Sequence, residues 1–519
     1  MHKIDLSTLP YAEGASWNSD SVCLLETRKA LLEDIWDWIS SADSAKSAEI
    51  LWLTAVAGAG KSAIAHTVAQ RCHEKGLLAS SFFFDRETAG RNTPQKLFST
   101  IARDIANLNN DLAQQIGLVI EGDQSIATAS PSRQFKELIL DHCRRLPVQK
   151  PIVIIVDAVD EGYNPELLRI LRDQVPKLSG TFRFIITSRP DKNIIPYLSN
   201  KVHILSRTIN IHEQPNLDDI AVYVRYRLNE IAELADMGHH WPGQKLSDEF
   251  MRKAEGLFIW VSTVCDYLCL NVIDPTAGLK SLISGKSPTG LPAEAKMDSL
   301  YSSIMKTCNW QEKAFVEGYH LLMGAIMAAK TPLSSSALQS LYRTSLTLPV
   351  GKVLQPLGSL LTGLAEKSGA VRILHLSFRD FLTVRALSIL DCEQFYICDK
   401  DHSGRLALLC LVVLNQDLNP DIPGTGYLTV PGSDSSTIPE VDHSHISEEL
   451  WYACCFWIDH LVDLGDPEQE LLDMLQSFLS TKVVLWMEVT SSHGQFQKLL
   501  RVQMWLQVCY STKSVLIVV

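Results

Sequence analysis

"LWLTAVAGAGKSAIAHTVA", Leu51 to Ala69, reads as a strand, a glycine-containing turn and a helix. A triphosphate needs many donors at close range, and a loop that wraps it can offer backbone N–H groups only where side chains do not intrude. Gly58 and Gly60 give that clearance within the run Ala57, Gly58, Ala59, Gly60. Lys61 then sets a cation against the β and γ phosphates, and Ser62 offers a hydroxyl to Mg2+. The helix from Ala63 turns its positive end toward the anion. The common pattern opens with glycine where this chain has Ala55. That position chiefly turns the chain out of the strand, so alanine is tolerated there as long as its φ stays negative.

Two further strands end in residues that suit the same ligand. In "IVIIVDAVDE" five β-branched residues, Ile152 to Val156, run into Asp157, as expected of a buried strand that delivers a carboxylate to Mg2+. Glu161 is placed to polarise an attacking water, and Asp160 to add a metal or supporting contact; a solvated acidic turn is the plain alternative. "FRFIITSRP" ends in Thr187, Ser188 and Arg189, where an arginine can reach a γ-phosphate. The pattern predicts ATP or ADP with Mg2+ as ligands. Lys61, Glu161 and Arg189 are the catalytic candidates, and Ser62 and Asp157 the metal ligands.

Composition limits the alternatives. With 46% hydrophobic and 20% charged residues the chain is that of a folded protein, and 519 residues exceed one ordinary core. A net charge of -12 supplies no general attraction to nucleic acid or anionic lipid, so neither is an expected partner. The 12 cysteines show no C-x-x-C spacing, which points to a reducing cytoplasm and buried structural thiols. No apolar run approaches the roughly 20 residues of a membrane span.

Helix and strand patterns alternate between about residues 20 and 205, as in a parallel sheet with crossover helices. "TRKALLEDIWDWI" is an amphipathic helix, "LASSFFFD" a buried strand, and Thr93 with Pro94 a helix start. Beyond about residue 215 the chain turns helical. "LSDEFMRKAEGLFIWVSTVCDYLCL" reads as one helical stretch, "GAVRILHLSF" as a strand, and the Gly/Pro/Ser-rich run near 419–444 as a loop. The tail "YSTKSVLIVV" is β-prone and raises the possibility of a truncated chain.

These motifs in this order resemble the NACHT branch of the signal-transducing ATPases with numerous domains (STAND), in the form common in fungal NOD-like receptors. "LWLTAVAGAGKSAIAHTVA" looks like its Walker A, "IVIIVDAVDE" its Walker B and "FIITSRP" its sensor 1. In "CLLETRKALLEDIWDWI", Thr27 and Arg28 stand where the family lines the adenine side. "AEGLFIWVSTVCDYL" resembles the helical segment that closes over the nucleotide, and "RILHLSFRDFL" a winged-helix strand and helix.

The resemblance implies an α/β P-loop NTPase domain, a parallel sheet with flanking helices, followed by helical and winged-helix domains. The expected parts are 1–45, an N-terminal segment and helix; 46–212, the NTPase core; 213–295, a helical domain; 296–395, a winged-helix-like domain; and 396–519, a C-terminal helical region. It also implies a cytoplasmic switch with weak ATPase activity, a homo-oligomer in the ATP state and an unknown protein effector. Where many relatives have Gly-x-Pro, this chain has Gly256, Leu257, Phe258; the aromatic either stacks on the base or is a core residue. His375 stands where related receptors touch the ADP β-phosphate, or is a structural histidine. The effector domain and repeats usual in such receptors are absent, which leaves a truncated, non-enzymatic scaffold as the alternative.

Overall fold

The computed structural model describes residues 6–41, 48–144, 150–238, 240–270, 274–284, 291–428, 441–465, 467–494 and 499–511. Residues 512–519 of the β-prone tail and 429–440 of the Gly/Pro/Ser-rich loop lie outside them. The chain divides into two compact units, Met1–Met297 and Asp298–Val519.

The first unit is built on five parallel strands: β1 (Ile50–Thr54), β2 (Leu78–Phe83), β3 (Ile152–Asp157), β4 (Phe182–Ser188) and β5 (Ile204–Thr208). Their order in the sheet is β2-β3-β4-β1-β5. Side chains alternate between the two faces of a strand, and β1, β3 and β4 are buried on both, so they read as nearly continuous apolar runs. Ile50, Trp52, Ile154, Val156, Phe184 and Ile186 belong to one core. Leu51, Leu53, Val153, Ile155 and Ile185 belong to another, packed with helices α1 (Lys29–Ser40) and α2 (Lys61–Glu74). Ile35, Trp38 and Ile39 form the buried side of α1. Because every strand runs the same way, Thr54, Asp157 and Ser188 end on one edge of the sheet. Ligands of open parallel sheets collect along that edge.

The N-terminal segment shields the outer strand β2. Ala15 O accepts a hydrogen bond from Phe83 N at 2.8 Å, Ser81 Oγ accepts one from Trp17 N at 3.0 Å, and Leu9, Ala12 and Ala15 enter the core. An uncovered strand edge is a template for unwanted pairing, and this segment blunts it.

Thr93 and Pro94 do open a helical run, with Thr93 at the N-cap; it makes no side-chain cap, Pro94–Lys96 form a 3-10 turn, and the helix proper is Leu97–Ala106. Two local expectations are corrected. The stretch around residue 255 is two helices, Gln244–Ala254 and Phe258–Leu270, because Glu255 and Gly256 take φ of 47° and 83°. Left-handed residues cannot continue a right-handed helix. The strand expected near residue 372 is only Arg372–Ile373, paired antiparallel with Leu361–Thr362. His375 then caps the next helix through Nδ1, which accepts from Ser377 N at 3.2 Å, so its ring has a structural role.

The second unit is mainly helical, with Lys313–Ala328, Asp399–Asp417, Glu448–Val462 and Gln469–Thr481 among its longer helices. Two buried polar side chains there have hydrogen-bond partners: His460 sits between Tyr452 and Ser403, and Glu488 accepts from the N–H groups of Gly426 and Leu428, both at 2.6 Å. All 12 cysteines are free. Among the described residues no helix is long and apolar enough to cross a membrane.

Candidate functional site

The loop between β1 and α2 has the shape of an anion cradle. Gly58 and Gly60 take φ of 77° and 86°, a region that a side chain disfavours. Ala55 is not among the positive-φ residues, consistent with its place at the strand exit. Gly60 is the N-cap of α2 and provides no side-chain cap. The first-turn amides, those of Lys61, Ser62 and Ala63, thus face outward from the helix end, where the helix dipole favours negative charge. Lys61 Nζ lies across the loop, donating to Ala55 O at 3.0 Å and Val56 O at 3.1 Å. Burial lowers its pKa, against the raising influence of Asp160 and Asp157.

Asp157 is the centre of the acidic side. Its Oδ2 accepts from Ser62 Oγ at 2.6 Å and its Oδ1 from Thr187 Oγ1 at 2.5 Å. Thr187 Oγ1 in turn accepts from Ala158 N at 2.9 Å, so β3 and β4 are tied together where they end. Burial pushes the Asp157 carboxyl up, opposed by the two hydroxyl donors. A hard cation prefers oxygen ligands, and Mg2+ takes one or two from protein with the rest from water and phosphate. The Ser62 hydroxyl and the Asp157 carboxylate beside open amides fit that donor set. Among the described residues no group of three or more His, Cys, Asp or Glu side chains could hold a metal by itself.

Glu161 and Arg189 complete the acidic side. Glu161 Oε2 accepts from Arg86 N at 3.3 Å. Burial, with Asp160 adding to it, pushes its carboxyl up to about 8, so at neutral pH it is mostly protonated and a poor base. Arg189 is engaged with Asp160: its N–H donates to Oδ1 at 3.1 Å, and its Nε lies 3.4 Å from Oδ2. Gly162 allows the turn to pass Phe84, whose ring lies 2.1 Å from where a Cβ would stand.

On the side that the resemblance assigns to adenine, the side chains of Thr27 and Arg28 are occupied within the protein. Thr27 Oγ1 donates to Leu24 O at 2.6 Å. Arg28 is buried, with φ of 61°, and its Nη2 donates to Ala59 O at 2.8 Å. Its Cζ lies 4.7 Å from the centre of the Phe258 ring, so Phe258 faces a guanidinium. Ile259 N donates to Gly58 O at 3.2 Å. Asp219 Oδ1 accepts from Arg28 N at 3.0 Å; sequence patterns did not single out Asp219, Ile259 or Arg86, which are ordinary helix or loop residues until the chain folds. Beside the loop a cleft of about 540 Å³ opens, with Ala55, Val56, Thr208, His212, Leu257 and Lys296 among its lining residues.

Residues 26–189 match the family described as Nephrocystin 3, N-terminal. The vegetative incompatibility protein HET-E-1 of Podospora anserina is 25% identical over 364 residues, which cover 65% of this chain and 25% of that protein. The match thus spans about a quarter of the relative's length. Among solved structures, Drosophila ORC bound to DNA aligns with a TM-score of 0.29 and 13% identity, covering 67% of this chain and 92% of that one. The Aeropyrum pernix ORC1 protein in complex with DNA gives 0.28 and 14%, covering 70% and 94%. The family match and the fungal relative, on a parallel sheet whose strand ends carry a glycine-flanked lysine and a buried aspartate, support a fungal NACHT-type family for this chain.

Proposed function

We propose that the chain is a nucleotide-dependent switch that binds ATP or ADP with Mg2+, exchanges them, hydrolyses ATP slowly and thereby controls opening and self-assembly. The observation that carries this reading is the meeting of Ser62, Asp157 and Thr187 beside an uncapped, glycine-flanked helix start. Ala57, Gly58, Ala59, Gly60, Lys61, Ser62 and Ala63 would cradle the phosphates, with Thr27 and Arg28 on the base side. When bound, Mg2+ would neutralise charge between the phosphate oxygens, with Ser62 and Asp157 as its protein ligands.

The remaining work falls to this chain's own groups. Lys61 would exchange its two loop carbonyls for phosphate oxygens, and Arg189 would leave Asp160 to meet a γ-phosphate. Glu161 would hold the attacking water and take its proton only after losing its own, which agrees with slow turnover. A ligand shifts a switch only by binding its two forms unequally, and contacts to the γ-phosphate supply that difference. On this reading 46–212 is the NTPase core, 213–295 a helical domain, 296–395 a winged-helix-like domain, and 1–45 and 396–519 flanking parts. The fungal relative is named for vegetative incompatibility, which suggests non-self recognition or programmed cell death in the cytoplasm, through an effector protein.

Mass spectrometry of nucleotide carried through purification tests the reading, together with size measured in ADP and in a non-hydrolysable ATP analogue. Lys61→Ala is expected to abolish retention and Glu161→Gln to hold an assembled ATP form. Full nucleotide binding by Lys61→Ala would sink the proposal.

A further inference from the structure

Two successive peptides of the phosphate loop are held from outside it. Arg28 Nη2 donates to Ala59 O at 2.8 Å, and Ile259 N donates to Gly58 O at 3.2 Å. A trans peptide is planar, with its C=O and N–H on opposite sides. Anchoring the Ala59 carbonyl outward therefore turns the Gly60 N–H the other way, toward the concave side. The Gly58 anchor does the same for Ala59, whose N–H lies 3.4 Å from Val56 O across the loop.

The other anchors of Arg28 lie on the helices that follow the sheet. Its backbone N donates to Asp219 Oδ1 at 3.0 Å, and its Nη1 lies 3.7 Å from Asp219 Oδ2, on the helix Gln214–Leu234. Its guanidinium lies over Phe258, the first residue of the helix Phe258–Leu270, and its side chain is only 6% exposed. A flat, forked cation can stack on a ring and donate along its edge at once; a lysine ammonium cannot. Glu255 and Gly256, both at positive φ, form the joint just before Phe258.

We propose that Arg28 is a positioning residue that couples the placement of these two helices to the aim of the loop amides, and so sets the rate of nucleotide release. While Asp219 and the Phe258 face hold the guanidinium, Ala59 O is anchored and the Gly60 N–H points into the cradle. When the helices shift, the anchor is lost and the loop slackens. The inference rests on the nucleotide reading and goes beyond it by naming the residue that links helix position to loop shape.

The test uses the full chain and two measurements. One is hydrogen exchange across residues 57–63 without added nucleotide; the other is release of a fluorescent ADP analogue chased with excess ADP. Phe258→Leu, Arg28→Lys and Asp219→Asn are each expected to raise loop exchange and to speed release about three- to tenfold. Phe258→Tyr, which keeps the ring face, is expected to behave as the unaltered chain, and Arg28→Lys with Phe258→Leu together to add little to either alone. Unchanged loop exchange in both Phe258→Leu and Arg28→Lys overturns the coupling, as do unchanged release rates in a chain that binds ADP. If the unaltered chain fails to bind the analogue, the nucleotide reading falls, and loop exchange alone then decides the coupling.

Discussion

Ile259 fills the space beside Gly58: a Cβ built on that glycine would lie 2.0 Å from Ile259 Cγ2. The missing side chain at Gly58 therefore serves a helix contact, and not only access for a phosphate. Gly60 differs, since an added Cβ there would meet only Arg28 Nη2, at 4.0 Å.

Gly60→Ala is accordingly expected to cost about 1–2 kcal/mol, the left-handed penalty alone. Gly58→Ala should cost more, because steric overlap adds to the same penalty. Thermal unfolding of the two variants checks the order, and Ile259→Ala should recover part of the Gly58→Ala loss. Equal losses at both glycines, with no recovery, would refute the packing account.

Asp157→Asn keeps the shape of the β3 end but lowers its charge toward a cation. The Mg2+-dependent part of nucleotide affinity is expected to fall about 10- to 100-fold. Titration of ADP with Mg2+ and with a chelator separates the two parts. The prediction fails if the variant and the parent respond equally to Mg2+.

Glu161 gives a pH dependence of known sign. Its carboxyl is held up at about 8 in the folded chain, against an ordinary 4.5. Between those values the folded chain keeps a proton that the unfolded chain has released. The stability from this group is thus complete below about pH 4.5 and is lost as pH rises toward about 8, by at most ~1.4 kcal/mol per unit. Glu161→Gln removes the titration, so its melting temperature relative to the parent should rise steadily across that window. A flat difference would show that the carboxyl is not held protonated.

Glu488 predicts a local effect in the second unit. It is fully buried and accepts from Gly426 N and Leu428 N. Glu488→Ala leaves both donors without that carboxylate, at about 1–3 kcal/mol each. Denaturant unfolding and hydrogen exchange at the two amides read the loss, and unchanged exchange there would argue against it.

The sequence showed clearly what depends on near neighbours. The β1-loop-α2 unit, the run Ile152–Asp157 and the strand ending at Ser188 could be placed because burial on both faces forces an unbroken apolar run, and because phosphate chemistry allows few residue types at a strand end. Helix boundaries were harder, since Glu255 adopts a left-handed backbone that its residue type does not announce. Contacts between distant segments were invisible. Nothing in "GLFIW" says that Phe258 will face Arg28 or that Ile259 will fill the space at Gly58, because both depend on how the helices return to the sheet. The opening segment likewise looked featureless, yet its alanines pack into the core and its backbone covers β2.

That opening segment bears on where a shortened version of this protein should begin. A version cut to begin at the phosphate-loop strand would keep every motif and still present β2 bare, as an adhesive surface ready to recruit another chain. Insolubility of such a fragment would say nothing about its nucleotide chemistry. A fragment of the first unit that keeps β2 covered has to start before Leu9, well ahead of the phosphate-loop motifs.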